Sequence, residues 1–249
     1  MSRRAFYASA VLAVFAACLS VPAAAENYAI DNAWSEQGGA SRFVLGALAD
    51  AEQASLARFG PFRVLDDQTV ALVDITDSAS PAQFQAMLDA FPGIRTLRFH
   101  DCPGTYDDQA NLQLGRMIRS ARLAVEVPEG GSVRSGAVEL VFAGLTIAIA
   151  DSAEFAVHGW EDEDGRGAED YAPDSPQHRI YLAYYQDMGL ETPQAARFYA
   201  LTNSVTFDNA LWLTGRQMRD WVPETERVAV PQAGNAPKLA YLDLGPVLN

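Results

Sequence analysis

The chain has 249 residues, with 32 acidic against 18 basic and a formal net charge of −14. A surface of that sign repels phosphate backbones and anionic lipid heads, which argues against a nucleic-acid partner. The cysteines are Cys18 and Cys102 and the only lysine is Lys238. That excludes a cysteine-rich metal site, and no metal or cofactor is expected.

Residues 1–25 read as an export signal. Arg3 and Arg4 form a basic start, residues 5–19 are uncharged and mostly apolar, and Ala23, Ala24 and Ala25 offer a small-residue cleavage site before Glu26. The apolar part is short for a membrane span, and no second long apolar segment follows, so the mature form is expected to have no integral span. A competing reading makes residues 15–18 a lipoprotein processing site anchored at Cys18. Phe15 fits poorly where leucine is usual, so a soluble exported form, periplasmic or secreted, ranks first. Cleavage after Ala25 removes two arginines and no acids, taking −14 to −16 and leaving Cys102 as a lone thiol.

Residues 26–68 are expected to form a helical extension, with an amphipathic helix over 41–59 stopped by Gly60 and Pro61. Residues 69–75 read as a strand, and Ser80-Pro81 starts a helix through Leu88. A second strand spans 94–99, followed by a turn over 100–105 and a helix over 108–121. A third strand, 123–127, enters a glycine turn at Gly130 and Gly131 that carries Ser135. A buried helix over 137–143 and short strands at 147–150 and 155–157 follow. This alternation predicts an α/β fold with crossover units, a largely parallel sheet and helices on both faces. Residues 161–173 are acidic and glycine-containing and read as a solvated loop. Helices are expected from Ser175-Pro176 to Met188 and from Thr192-Pro193 to about Asn203. A final helix is placed over 210–221, within a domain of 69–222, and residues 223–249 read as a tail.

Sites in parallel sheets lie at the carboxyl ends of strands. A turn that delivers Ser135 to the amino end of a buried helix sets its hydroxyl among free N–H groups, which is where acyl-transfer chemistry needs an oxyanion. His158, at the end of an apolar strand, is the preferred base. His100 ends a strand beside a Pro-Gly turn, and His178 sits in a helix start read as surface. Cys102 is read as a spectator thiol.

The run SGAVELVFAG over residues 135–144 resembles the serine-bearing segment of the Clp protease proteolytic subunit and its crotonase-fold relatives. The likeness continues through DSAEFAVH at 151–158, which ends on His158. Upstream, DCPGT at 101–105 followed by LGRMIR at 114–119 resembles the family's Pro-Gly-Gly turn and following helix, with Thr105 replacing the second glycine. The resemblance spans about residues 69–222. It implies a ClpP/crotonase-like fold and a serine, histidine and aspartate triad, and Asp208 falls near the third place. The alternative for Asp208 is a helix N-cap. Exported signal peptide peptidases share the fold but pair serine with lysine, and Lys238 lies far from the matching block.

These readings point to an exported, ATP-independent serine peptidase. Ser135, His158 and Asp208 form the expected triad, and Gly136, Gly104 and Thr105 line the oxyanion and substrate site. The expected partner is a peptide or small acyl substrate, and relatives of this fold assemble into homo-oligomers. The rival readings are a non-catalytic peptide- or protein-binding module and, more weakly, acyl-thioester chemistry.

Overall fold

The computed structural model describes residues 55–230. The export signal, Cys18, most of the 26–68 segment, Lys238 and the tail beyond 230 lie outside the described residues.

Strand, strand, helix is the repeating unit. β1 (Ala57–Phe59), β2 (Phe62–Val64) and β3 (Thr69–Leu72) open one sheet as an antiparallel meander, and α1 (Ser80–Ala90) crosses from β3 to β4 (Thr96–Phe99). β5 (Asp101–Cys102) follows β4 after one residue, and α2 (Asp108–Ser120) leads to β6 (Ala124–Val127). β7 (Ser132–Arg134) and the five-residue α3 (Ala137–Val141) precede β8 (Thr146–Ile149) and β9 (Glu154–Val157). The first strand of each unit joins a six-stranded sheet in the order β1-β2-β3-β4-β6-β8, parallel from β3 onward. The second strands form their own parallel set, β9-β7-β5, within a four-stranded sheet. This is the α/β architecture, with crossover units and a largely parallel sheet, expected from the alternation of strands and helices.

Apolar burial explains why the units stack. β3, β4, β6 and β8 each bury Val, Leu, Ile or Phe residues, and Phe84 and Met87 of α1 with Leu114 and Ile118 of α2 are fully covered. Asp107 caps α2 by accepting the Ala110 N–H at 3.0 Å. After β9 come the acidic loop with a 3-10 turn at Ala168–Asp170, then α4 (Pro176–Asp187) and α5 (Thr192–Thr202). Tyr184, Tyr185 and Phe198 of these helices pack into the same core as Phe142. Among the described residues, no helix is long and apolar enough to cross a membrane.

Three expectations about elements need correction. The helix placed over 41–59 does not reach its expected end, because residues 57–59 are β1, paired with β2. The turn over 100–105 contains β5, which pairs parallel with β7. The final helix over 210–221 is instead β10 (Leu211–Thr214) and the short α6 (Gly215–Arg219). β10 pairs antiparallel along the free edge of β9, a tertiary partner that local periodicity does not reveal. Thr214, not Asp208, caps the helix that follows, accepting the Gln217 N–H at 3.3 Å.

Candidate active site

The parallel strands β5, β7 and β9 end side by side, and each hands its next residues to one cleft. β5 leads to Gly104 and Thr105, β7 to Ser135, and β9 to His158. Gly130 and Gly131 precede β7 and lie at its opposite end, so the serine turn is the chain leaving β7 and not the glycine pair.

Ser135 has φ of +51°, one of two left-handed non-glycine residues described. Side-chain-bearing residues adopt that conformation at a cost, and the surrounding structure holds it here. The Ser135 N–H donates to the Ala156 carbonyl of β9 at 2.8 Å, and its own carbonyl accepts the Val138 N–H at 2.9 Å. The turn therefore passes directly from strand to α3.

Gly104 backs onto this serine. It has φ of +135°, and a Cβ there would sit 2.8 Å from Ser135 Cβ and 3.2 Å from Oγ. Thr105 is not in the left-handed region, so a side chain in place of the second family glycine brings no backbone strain of that kind. Its methyl group instead covers Gly136, where a Cβ would approach Thr105 Cγ2 to 2.5 Å. Neither the Gly104 nor the Gly136 N–H donates to another described residue, and Gly136 lines the cleft.

A buried polar strut ties the two turns together. Asn111, 1 % exposed on α2, donates from Nδ2 to the Gly136 carbonyl at 2.6 Å and accepts the Thr76 hydroxyl at 2.9 Å. The Thr76 N–H donates in turn to the Gly104 carbonyl at 3.0 Å. One connected path thus joins Gly104, Thr76, Asn111 and Gly136.

His158 is half-buried, and its Nδ1 lies 2.8 Å from the Gly159 carbonyl oxygen. A carbonyl can only accept, so the neutral ring carries its proton on Nδ1 and its lone pair on Nε2. The Phe207 ring meets the imidazole edge-on at 5.1 Å between centroids. Asp208 follows in an exposed turn, outside the cleft lining, with no hydrogen bond to His158 among the described residues.

Ser135, Gly136, Thr105 and His158 line one cleft of about 290 Å³. Its other walls are supplied by α2, α3, α4, α5 and the segment after β9, through Asp108, Asn111, Glu139, Tyr181, Tyr199 and Trp160. Glu139 is buried and accepts the Tyr185 hydroxyl at 2.8 Å, and burial pushes its carboxyl up to about 7.

The other candidates lie elsewhere. His178 is buried rather than on the surface: Tyr199 accepts from Trp160 Nε1–H at 2.7 Å and donates to His178 Nδ1 at 2.8 Å. His100 is outside the cleft lining, its Nε2 buried without a partner among the described residues, and burial and then Arg98 lower its pKa. Cys102 is fully buried, its thiol donating to the Leu72 carbonyl at 3.1 Å, and burial raises its pKa far above the usual thiol range. The described residues hold no group of acidic, histidine or cysteine side chains suited to a metal ion.

Sequence reasoning did not single out Glu139, Asn111 or Thr76. Glu139 carried a signal, being the one charged residue in the otherwise apolar run 137–143. Asn111 and Thr76 carried none, since their partners are 25 to 35 residues away.

No model of a known protein family matches the chain, and no curated protein matches it in sequence. Similar solved structures include two point mutants of the 1510-N membrane-bound stomatin-specific protease. One, in complex with a substrate peptide, is 19 % identical with a TM-score of 0.42, covering 68 % of this chain and 78 % of that one. The other is 18 % identical with a TM-score of 0.42, covering 68 % and 82 %. A point mutant of ClpP1 from Listeria monocytogenes is 15 % identical with a TM-score of 0.43, covering 67 % and 94 %.

Proposed function

We propose that the chain is an exported serine peptidase that works by acyl transfer to Ser135. The observation that carries this reading is the strained Ser135 turn, set between Gly104 and the end of β9, in the same cleft as a histidine whose Nε2 has no hydrogen-bond partner among the described residues. A serine needs such a base to attack, and the intermediate needs backbone donors.

In this reading Ser135 Oγ attacks the peptide carbonyl carbon while His158 Nε2 takes the hydroxyl proton. The Gly104 and Gly136 N–H groups receive the oxyanion, with Thr105 shaping the wall beside them. His158 then protonates the leaving amine as the C–N bond breaks, and water, deprotonated by the same nitrogen, releases the acid and restores Ser135. The Gly159 carbonyl holds the imidazole tautomer that a triad aspartate would otherwise hold. Export rests on residues 1–25, and the ATP-independent character follows from that location.

A fluorophosphonate probe tests the nucleophile. Labelling of the wild type at Ser135, located by peptide mapping and abolished in Ser135→Ala, is expected. Equal labelling of both proteins overturns the assignment. One observation favours a non-catalytic peptide-binding module: no carboxylate is bonded to His158 among the described residues. Saturable peptide binding with no labelling of Ser135 would select that alternative.

A further inference from the structure

The cleft beside Ser135 contains a buried acid that no cation among the described residues neutralises. Glu139 is 9 % exposed and lies one helical turn beyond Ser135. The other buried acids described each meet an arginine, Asp101 with Arg134 at 2.7 Å and Glu226 with Arg119. Glu139 has no lysine or arginine at ion-pair distance among the described residues, and its carboxyl group accepts hydrogen bonds from the Tyr185 hydroxyl and from its own backbone N–H, both uncharged donors. An ionised carboxylate so placed is costly unless a counter-charge arrives. The open side of the cleft is where one can enter.

The rest of the lining suits an organic cation. Trp160 stacks on Tyr181 at 6.1 Å and Tyr181 on Tyr199 at 5.9 Å, forming an aromatic wall. Ring faces attract ammonium and guanidinium groups, most strongly where water is displaced. Asp108 and Glu161 add negative charge to the lining, and no lysine or arginine among the described residues lines the cleft. An aliphatic side chain would leave Glu139 without compensation.

We propose that the cleft selects a lysine or arginine side chain in the peptide segment presented to Ser135, with Glu139 as the specificity-determining acid. This deepens, and rests on, the peptidase reading. Asp108 of α2 and Tyr181, Tyr184 and Tyr185 of α4 face Glu139, and His158 lines the same cleft from the end of β9. Because the cation needs the ionised acid, the preference grows as pH rises through about 7. His158 serves every substrate alike and so drops out of the ratio between substrates.

The test uses the mature chain with fluorogenic peptides identical except for lysine, arginine, norleucine or citrulline at the scissile residue, and with the matching peptidyl phosphonates as Ser135 labels. Cationic peptides are expected to exceed their neutral counterparts at least about tenfold in kcat/KM, with the ratio rising from pH 6 to pH 8 and collapsing in Glu139→Gln. Equal rates for lysine and norleucine in the wild type, or a ratio unchanged in Glu139→Gln, overturn the proposal. Calorimetry of the lysine and norleucine peptides with Ser135→Ala separates this from a failure of the peptidase reading. Tighter lysine binding without turnover by the wild type would remove the peptidase and keep the pocket, whereas equal affinities would remove the pocket.

Discussion

The backbone N–H of Ser135 donates to the carbonyl oxygen of Ala156 at 2.8 Å, which fixes the serine turn two residues before His158 on the neighbouring strand. The parallel register of β7 and β9, with Arg134 opposite Ala156, makes this contact possible. Serine and histidine are separated along the chain, and sheet pairing brings both to the lining of one cleft.

Gly104→Ala tests how closely the two turns must approach. The added methyl group would meet Ser135 Cβ at 2.8 Å, and φ of +135° would be strained for alanine. A destabilisation of about 1–3 kcal/mol is expected in denaturant titration, together with slower fluorophosphonate labelling of Ser135. Unchanged stability and labelling would show that this approach is not constrained.

Thr76 and Asn111 offer a pair of opposed variants. Thr76→Val keeps the shape but removes the hydroxyl that donates to Asn111 Oδ1, leaving a buried acceptor without its donor at a cost of about 1–3 kcal/mol. Thr76→Ser retains the hydroxyl and is expected to restore most of that loss. Labelling of Ser135 should follow the same order, and equal behaviour of the two variants would contradict the strut.

Glu139 makes stability depend on pH in a stated direction. Its carboxyl is raised from 4.5 to about 7 in the folded chain, chiefly by burial, so the native state holds a proton that the unfolded state has lost over that interval. The stability associated with this group is full below about pH 4.5 and is lost as pH rises through 7, to a total of about 3 kcal/mol. Glu139→Gln should flatten the stability profile between those limits in urea titrations. A wild-type slope that survives the substitution would assign the effect to other groups.

Much of the architecture was legible because strand and helix signals alternate with short connections, and parallel pairing follows from that order. Ser135 was legible because it sits in a turn just before a buried apolar run, and His158 because it ends an apolar strand. β5 and β10 were not, since two residues of strand have no periodicity and an edge strand exists only because β9 leaves an edge open. His178 looked exposed among Gln177 and Arg179, but its burial comes from Trp160 and Tyr199, which are distant in sequence. The Gly159 carbonyl was invisible for another reason: main-chain groups carry no residue-type signal.

That carbonyl makes Asp208 a discriminating position. Asp208 lies exposed and is not bonded to His158, whose Nδ1 is already satisfied. Asp208→Ala is expected to retain kcat within about fivefold, against the roughly 10⁴-fold loss seen when a triad aspartate stops holding its histidine. A loss of that larger size would show that the segment carrying Phe207 and Asp208 moves to complete a triad during turnover.

Acyl transfer to Ser135 requires a covalent acyl intermediate on its Oγ, which rapid-quench mass spectrometry of the intact chain with an activated peptide ester can detect. A transient mass increase equal to the acyl group is expected, mapped to Ser135, absent in Ser135→Ala and slow to form in His158→Ala. Ester turnover by the wild type that persists in Ser135→Ala, or an adduct mapped to another residue, would contradict it.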